Sequence, residues 1–180
     1  MEKSMADTKA TKRLRELGQS LWLDNITRDL IDTGTLQRYI DEYSVTGLTS
    51  NPTIFNHAIQ KSSLYDADIQ RMRREESETV FFQLAVADLT RAADLFHPIY
   101  LATNGVDGWV SIEVSPMLAR DASATLTQVE QLHAMAVRPN MFVKIPGTPE
   151  GLTAIENAIL AGLPINVTLL FSAEQYLACA

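Results

Sequence analysis

One of the lysines, Lys144, lies near the end of a short apolar run from Met141 to Ile145, which Pro146 and Gly147 terminate. A strand lysine held among apolar neighbours loses hydration in its charged form, and this loss favours a neutral amine. Such an amine can attack a carbonyl group and form a Schiff base. The alternative is a lysine on an exposed edge strand, where lysine discourages pairing between molecules.

Other polar residues stand near the ends of four further predicted strands, and they are Asp24, Asn51, Glu113, Asn166 and Thr168. Strands buried on both faces normally consist of continuous apolar residues, so these polar groups are costly unless they share a polar pocket. Alternate strand residues share a face, which groups Trp22 with Asp24, Phe142 with Lys144, Asn166 with Thr168, and Trp109 with Ser111 and Glu113. The opposite face of each strand is apolar, which predicts a common polar inner face.

Each polar residue also has a structural alternative. Asp24 and Asn51 are suitable helix N-caps, and Glu113 could form an ion pair at a strand end. Thr168 is an ordinary strand residue by its β-propensity. The occurrence of all of them at the same end of one sheet favours the functional interpretation.

The elements that must position these groups alternate along the chain. Strands are predicted at 21–23 with Asp24 at the end, at 44–49 and 109–114, from residue 139 through Lys144, and at 165–170. Helices are predicted at 8–17, 25–43 with a break at Gly34, most of 53–105, 122–137 and 147–162, and from residue 173 to the end without a C-cap. The charged segment 71–78 is interpreted as solvated helix surface. This alternation predicts parallel βαβ units, in which catalytic groups gather at the carboxyl ends of the strands.

Composition narrows the class of protein. A chain of 180 residues that is 46% hydrophobic indicates one domain, spanning 1–180. A net charge of -7 argues against nucleic acid or an anionic membrane as a partner. Cys179 is the single cysteine, and neither an apolar signal core nor a membrane-length apolar run occurs, so a reducing cytoplasm is expected.

The sequence predicts no metal site. The three histidines, His57, His97 and His133, lack paired ligand spacing, and no CxxC or HExxH motif occurs. The stretch from Gly147 to Gly151 lacks the lysine of a phosphate loop and is better interpreted as a helix start.

Five segments closely resemble those of transaldolases. They are Leu23–Asn25, Gly47–Phe55, Ser111–Val114, Val143–Thr148 and Ile165–Ser172, and they occur in the family's order. The resemblance runs from Leu17 onward and favours the longer bacterial and plant-type branch.

The resemblance implies a (β/α)8 barrel of the pentose phosphate pathway, of which this chain holds the first five βα units. It also implies the transfer of a dihydroxyacetone unit from sedoheptulose 7-phosphate to glyceraldehyde 3-phosphate without a cofactor. Lys144 matches the Schiff-base lysine, and Glu113 matches an acid/base that works through a water also held by Thr168. Asp24 matches the base that takes the substrate hydroxyl proton, while the two residues that match groups orienting the ketose are Asn51 and Asn166.

One departure from the family pattern concerns phosphate binding. The family's phosphate-binding serine and arginine follow the sixth strand, and the sequence ends in the helix after the fifth, roughly ninety residues short of a complete barrel. A half-barrel that is inactive alone, with its first and fifth strands exposed, is therefore one alternative. A fructose 6-phosphate aldolase is another, and Glu113 disfavours it because those aldolases carry glutamine there.

Overall fold

Five parallel strands form one sheet in consecutive order. The computed structural model describes residues 5–180, with side chains from residue 10 onward. The strands are β1 (Leu21–Asp24), β2 (Val45–Thr49), β3 (Val110–Glu113), β4 (Met141–Pro146) and β5 (Ile165–Thr168), and the sheet order is β1-β2-β3-β4-β5. Each neighbouring pair is parallel. The sheet curls into a half-barrel, which is the arrangement of the first five βα units of a (β/α)8 barrel.

Helices connect successive strands and cover the outer face of the sheet. They are α1 (Met5–Glu16), α2 (Arg28–Asp32), α3 (Thr35–Tyr43), α4 (Pro52–Gln60), α5 (Asp66–Arg71), α6 (Ser77–Ala102), α7 (Ala122–Ala136), α8 (Pro149–Leu160) and α9 (Ala173–Cys179). Short 3-10 turns lie at Ser63–Tyr65 and Pro116–Leu118. None of the described helices is long and apolar enough to cross a membrane.

The predicted order of strands and helices is confirmed, including the break at Gly34, where φ is 72°. Two expectations are wrong in detail. The fifth strand stops at Thr168 rather than at residue 170, because Leu169 adopts a left-handed φ of 62° that turns the chain out of the sheet. Residues 71–78 are not one helical surface, since α5 ends at Arg71 and α6 begins at Ser77. The intervening charged residues have no apolar face to pack, so they form a turn.

The core lies between the sheet and the helices. Alternate residues of β4, namely Met141, Val143 and Ile145, are fully buried against it. Their neighbours Phe142 and Lys144 therefore face the inside of the half-barrel. This alternation is what turns Lys144 away from the helices.

A cluster of polar side chains lies outside the barrel interior, where α2, the 3-10 turn Ser63–Tyr65, α5 and α6 meet. We call it the outer cluster, and it comprises Arg28, Tyr65, Asp68 and Asp88. The Arg28 guanidinium donates to the carboxylates of Asp88 (2.9 Å) and Asp68 (2.7 Å). The Tyr65 hydroxyl donates to Asp88 at 2.8 Å and accepts from the Arg28 backbone N–H at 3.0 Å. These bonds join segments that are up to 60 residues apart in sequence.

Candidate active site

The centre of the inner face is a contact between Lys144 and Glu113. The two residues are register partners on β4 and β3, and their Nζ and Oε2 atoms are 3.1 Å apart. Lys144 is 9% exposed. Because β4 lies between β3 and β5, the edge-strand explanation of this lysine is wrong. The ion pair that was the structural alternative for Glu113 does form, and its partner is the candidate nucleophile itself.

A backbone oxygen completes the surroundings of the amine. The Lys144 Nζ donates to the carbonyl oxygen of Ser50 at 3.2 Å, just past the end of β2. The Ser50 hydroxyl in turn donates to the Ser111 carbonyl on β3 at 2.8 Å. The amine is thus held by one carboxylate and one carbonyl from two different strands.

Aromatic rings line the inner face next to the polar groups. Phe142, two residues before Lys144, stacks on Trp109 with ring centroids 3.8 Å apart, and Trp22 lies 6.4 Å from Phe142. Gly47 makes room for Trp22, since a Cβ atom at Gly47 would lie 2.5 Å from the indole Cε2. The three rings are half-buried and form an apolar layer beside the polar groups.

β5 brings two of the predicted residues beside the lysine. Asn166 is the register partner of Lys144, and Thr168 is the partner of Pro146. Both side chains are half-buried, and within the described part of the chain neither forms a side-chain hydrogen bond. The Thr168 carbonyl accepts from the Gly147 N–H at 2.8 Å, which fixes the end of β5 against β4. The two side chains therefore have free polar groups near the amine.

Asn51 has a structural bond as well as its place beside the site. Its Oδ1 accepts from the Ile54 N–H at 3.0 Å and caps α4, so the capping alternative is confirmed for this residue. The same side chain keeps its amide NH2 group, which the cap does not use. Asn51 directly follows Ser50, whose carbonyl contacts the amine.

Asp24 ends β1, where it is exposed and pairs in register with Thr49. Among residues 10–180, no hydrogen bond or ion pair joins it to Lys144 or Glu113. The capping alternative is wrong here, because Thr27 is the N-cap of α2. Its carboxylate is therefore left to solvent at the strand end, on the same face as Trp22.

This arrangement is suited to attack of an amine on a carbonyl carbon, with proton transfer to and from the carbonyl oxygen. It places a buried primary amine against one carboxylate and a second carboxylate free at the rim, with neutral amide and hydroxyl groups on the neighbouring strands. Two carboxylates in different surroundings are suited to different proton-transfer tasks. No group of three metal-ligating side chains occurs among the residues that the structure describes.

Sequence reasoning missed the contact between the Ser111 and Thr49 hydroxyls and the contact of the Ser50 carbonyl with the amine. Ser111 donates to the Thr49 hydroxyl at 3.0 Å, and both residues lie on the inner face between Asp24 and Glu113. Residue parity places Ser111 on this face, but only the register of β2 against β3 reveals the pair. Ser50 belongs to a motif segment, but the alternation of strand residues places its side chain on the outer face. The sequence therefore did not indicate that its carbonyl reaches the amine.

The comparisons with known proteins agree with one another. A family model described as Transaldolase/Fructose-6-phosphate aldolase matches residues 21–180. The chain is 47% identical to a transaldolase of Thiobacillus denitrificans over 92% of this chain and 46% of that protein. It is 42% identical to transaldolase 2 of a Nostoc species over 91% of this chain and 44% of that protein. It is 43% identical to a transaldolase of an Arthrobacter species over 94% of this chain and 46% of that protein. The chain spans about half the length of the curated relatives it matches.

Proposed function

Because the chain belongs to the transaldolase/fructose-6-phosphate aldolase family, we propose that it carries the Schiff-base machinery of a transaldolase. The reaction moves a dihydroxyacetone unit from sedoheptulose 7-phosphate to glyceraldehyde 3-phosphate in the pentose phosphate pathway. The observation that carries the proposal is the buried contact between the Lys144 amine and the Glu113 carboxylate at 3.1 Å. A buried amine with a proton-transfer partner is what Schiff-base formation requires.

In the proposed reaction, the Lys144 nitrogen attacks the ketose carbonyl carbon and a carbinolamine forms. Loss of water gives an iminium ion, with Glu113 moving protons to and from the oxygen through a water that Thr168 also holds. A carboxylate beside the reacting nitrogen can act as acid in one step and base in the next. The half-buried position of Thr168 at the end of β5 leaves its hydroxyl available for such a water.

Asp24 is the proposed base for carbon–carbon cleavage. It takes the proton from the substrate hydroxyl, the carbon–carbon bond breaks, and the bonding electrons move into the iminium to give an enamine. The aldehyde product leaves and the acceptor aldehyde takes its place. The enamine then attacks the acceptor carbonyl, and the proton returns from Asp24 to the new hydroxyl oxygen. The exposed end of β1 is a position from which a carboxylate can reach a substrate entering the barrel.

Asn51 and Asn166 are the proposed ligands of the ketose hydroxyl groups. The amide of Asn51 has an NH2 group left over from its cap, and Asn166 stands next to Lys144 in register. Neutral amides can orient a sugar without changing the charge of the site. The proposal also includes three further points. The enzyme is cytoplasmic, residues 1–180 form one domain, and the ligands are sugar phosphates rather than nucleic acid.

Simple aldol cleavage of fructose 6-phosphate is the activity of the other group in this family's description. Glu113 favours transfer, because the aldolases compared with it carry glutamine at that place. The two activities are separated by supplying fructose 6-phosphate with and without erythrose 4-phosphate as acceptor. Transfer predicts sedoheptulose 7-phosphate formation that depends on the acceptor, whereas cleavage predicts free glyceraldehyde 3-phosphate without it.

The central test is borohydride trapping with dihydroxyacetone, the transferred unit itself. This ketone has no phosphate, so the test does not depend on phosphate recognition. We expect a reduced adduct on the peptide that contains Lys144, identified by mass spectrometry. An adduct distributed over surface lysines such as Lys61, with none at Lys144, would contradict the proposal.

A further inference from the structure

Ser50 links the reactive lysine to the backbone of two strands. It is 1% exposed. Its hydroxyl donates to the Ser111 carbonyl on β3 at 2.8 Å, and its own carbonyl accepts from Lys144 Nζ on β4 at 3.2 Å. One residue therefore contacts both strands that carry the amine–carboxylate pair.

The local chain explains why the hydroxyl is needed. Paired residues of β2 and β3 end at Thr49 and Ser111. Beyond them the chain turns into α4, where Asn51 is the N-cap and Pro52 has no N–H to donate. The Ser50 side chain thus supplies a donor to β3 at the point where the backbone pairing stops. This bond fixes the peptide whose oxygen faces the amine.

We propose that Ser50 is a positioning residue for Lys144, and the inference rests on the function proposed above. Its hydroxyl holds the Ser50 carbonyl oxygen against the lysine nitrogen through the whole Schiff-base cycle. The oxygen accepts an N–H from the amine before attack and accepts the single remaining N–H of the iminium afterwards.

The Ser50 oxygen affects both the attack of the amine and the geometry of the iminium ion. In the overall step, a ketone and the lysine ammonium give an iminium ion and one water, so the positive charge is conserved and stays on nitrogen. A neutral amine that donates to Ser50 keeps its lone pair free for the carbonyl carbon. After water leaves, the one N–H of the iminium points to the Ser50 oxygen, which fixes the orientation of the double bond. Glu113 is then left free for proton transfer to and from the leaving oxygen.

The test compares Ser50→Ala with Ser50→Thr in the otherwise unchanged protein. Alanine keeps the carbonyl but loses the hydroxyl that anchors it, while threonine keeps the hydroxyl. With dihydroxyacetone and borohydride, we expect Ser50→Ala to lower the maximal rate of adduct formation at Lys144 by roughly ten- to a hundred-fold, because misplacement of a reacting group costs about that much. The half-saturating concentration of dihydroxyacetone should change little, and Ser50→Thr should recover most of the rate.

Thr125 provides the matched control. It is 2% exposed and its hydroxyl donates to the Leu118 carbonyl at 2.9 Å, so Thr125→Ala removes a buried bond of the same kind from α7. We expect Thr125→Ala to lower the unfolding midpoint as Ser50→Ala does, with an unchanged trapping rate. If Ser50→Ala does not fold, Ser50→Cys carries the same test, because a thiol is similar in size and a weaker donor.

Three outcomes overturn the inference. They are a folded Ser50→Ala protein that traps dihydroxyacetone at the unsubstituted rate, an equal loss of rate in Thr125→Ala, and failure of Ser50→Thr to recover the rate while folded. The absence of an adduct in the unsubstituted protein is a different result, since it overturns the proposed function and the inference with it.

Discussion

Two buried ion pairs within the described residues are built differently. Lys144 and Glu113 meet inside the half-barrel with side-chain exposures of 11% and 16%, whereas Arg28 and Asp88 meet between helices with exposures of 13% and 1%. Burial alone does not separate them. The difference lies in how many of the polar atoms already have partners.

In the outer cluster every carboxylate oxygen has a hydrogen-bond partner. Both carboxylate oxygens of Asp88 are bonded, one to Arg28 and one to Tyr65. Burial raises the pKa of the Asp88 carboxyl, and the bonds from Tyr65 and Arg28 oppose this rise. Burial also raises the pKa of the Tyr65 hydroxyl, which keeps it protonated as a donor. Arg28 additionally donates to the Leu64 carbonyl at 2.9 Å. Such a network, closed at its carboxylate oxygens, specifies packing.

Beside the inner pair, polar side chains remain that can still bind a ligand. Lys144 has bonds to Glu113 and to the Ser50 carbonyl, while the neighbouring side chains of Asn166 and Thr168 form none within the described residues. The half-buried side chains of Asn166 and Thr168 keep their polar atoms within reach of water. A ligand with several hydroxyl groups would satisfy them. The comparison teaches that polar side chains still open to a ligand, rather than buried charge, mark the candidate site.

The largest expected effect is from Lys144→Met. We expect complete loss of the dihydroxyacetone adduct at this position, because the nucleophilic nitrogen is gone. The fold should survive, since methionine fills a similar volume and Glu113 keeps some contact with water. Circular dichroism and a urea titration check the fold, and borohydride trapping checks the chemistry. Unfolding of this variant would break the comparison by giving the inner pair a structural role.

Arg28→Met should instead lower the stability of the fold. It leaves the Asp88 carboxylate buried with one partner fewer, and we expect the free energy of unfolding to fall by about 3 kcal/mol. Urea denaturation measures the change. Arg138→Met is the control, because Arg138 pairs with Asp94 at the surface with exposures of 34% and 52%. That pair is worth about 1 kcal/mol or less. Equal losses in both variants would show that the outer cluster is no stronger than a surface pair.

The sequence was sufficient to predict one of these two regions. Residue parity and the alternation of elements placed Lys144 and Glu113 on one face of neighbouring parallel strands. Their direct contact depends on the register of β3 against β4, which parity does not fix. The confirmed strand ends follow from local signals, such as Pro146 and Gly147 after the lysine run.

The outer cluster could not be predicted in the same way. Its hydrogen bonds join residues 23 to 60 positions apart, and the helical pattern over 53–105 carries no motif that marks Tyr65 or Asp88. Both look like ordinary members of helical or turn segments. Their partnership with Arg28 appears only once the helices are packed, so it belongs to tertiary structure rather than to local sequence.

A smaller effect is expected from Tyr65→Phe. The ring remains under the Arg28 guanidinium, whose carbon lies 4.4 Å from the ring centroid, but the hydroxyl bonds to Asp88 and to the Arg28 N–H are lost. We expect a loss of about 1–2 kcal/mol, because a buried acceptor loses one partner. Tyr100→Phe is the control, since no hydrogen bond of that hydroxyl occurs among the described residues. Thermal and urea unfolding of both variants measure the difference, and an equal response would contradict a closed network.

The smallest effect concerns pH and Asp68. The hydrogen bond from Arg28, with a further contribution from Arg71, lowers the pKa of the Asp68 carboxyl below its ordinary value of 3.8. The folded state therefore binds the proton less tightly than the unfolded state. The stability that this bond adds is present above the ordinary pKa and is lost as the pH falls through the lower pKa of the folded state. Asp68→Asn should remove that part of the acid sensitivity.

The measurement is the difference in urea midpoint between about pH 7 and about pH 3. We expect this difference to be smaller in Asp68→Asn than in the unsubstituted protein. Asp66→Asn, a change on an exposed residue of the same helix, should leave the difference unchanged. Because Asp68 is at the solvent side of the cluster, with a side-chain exposure of 25%, its contribution should also weaken with added salt. A difference that is insensitive to Asp68→Asn would place the acid-sensitive bond elsewhere, and the outer cluster would then be closed by the Arg28–Asp88 pair and Tyr65 alone.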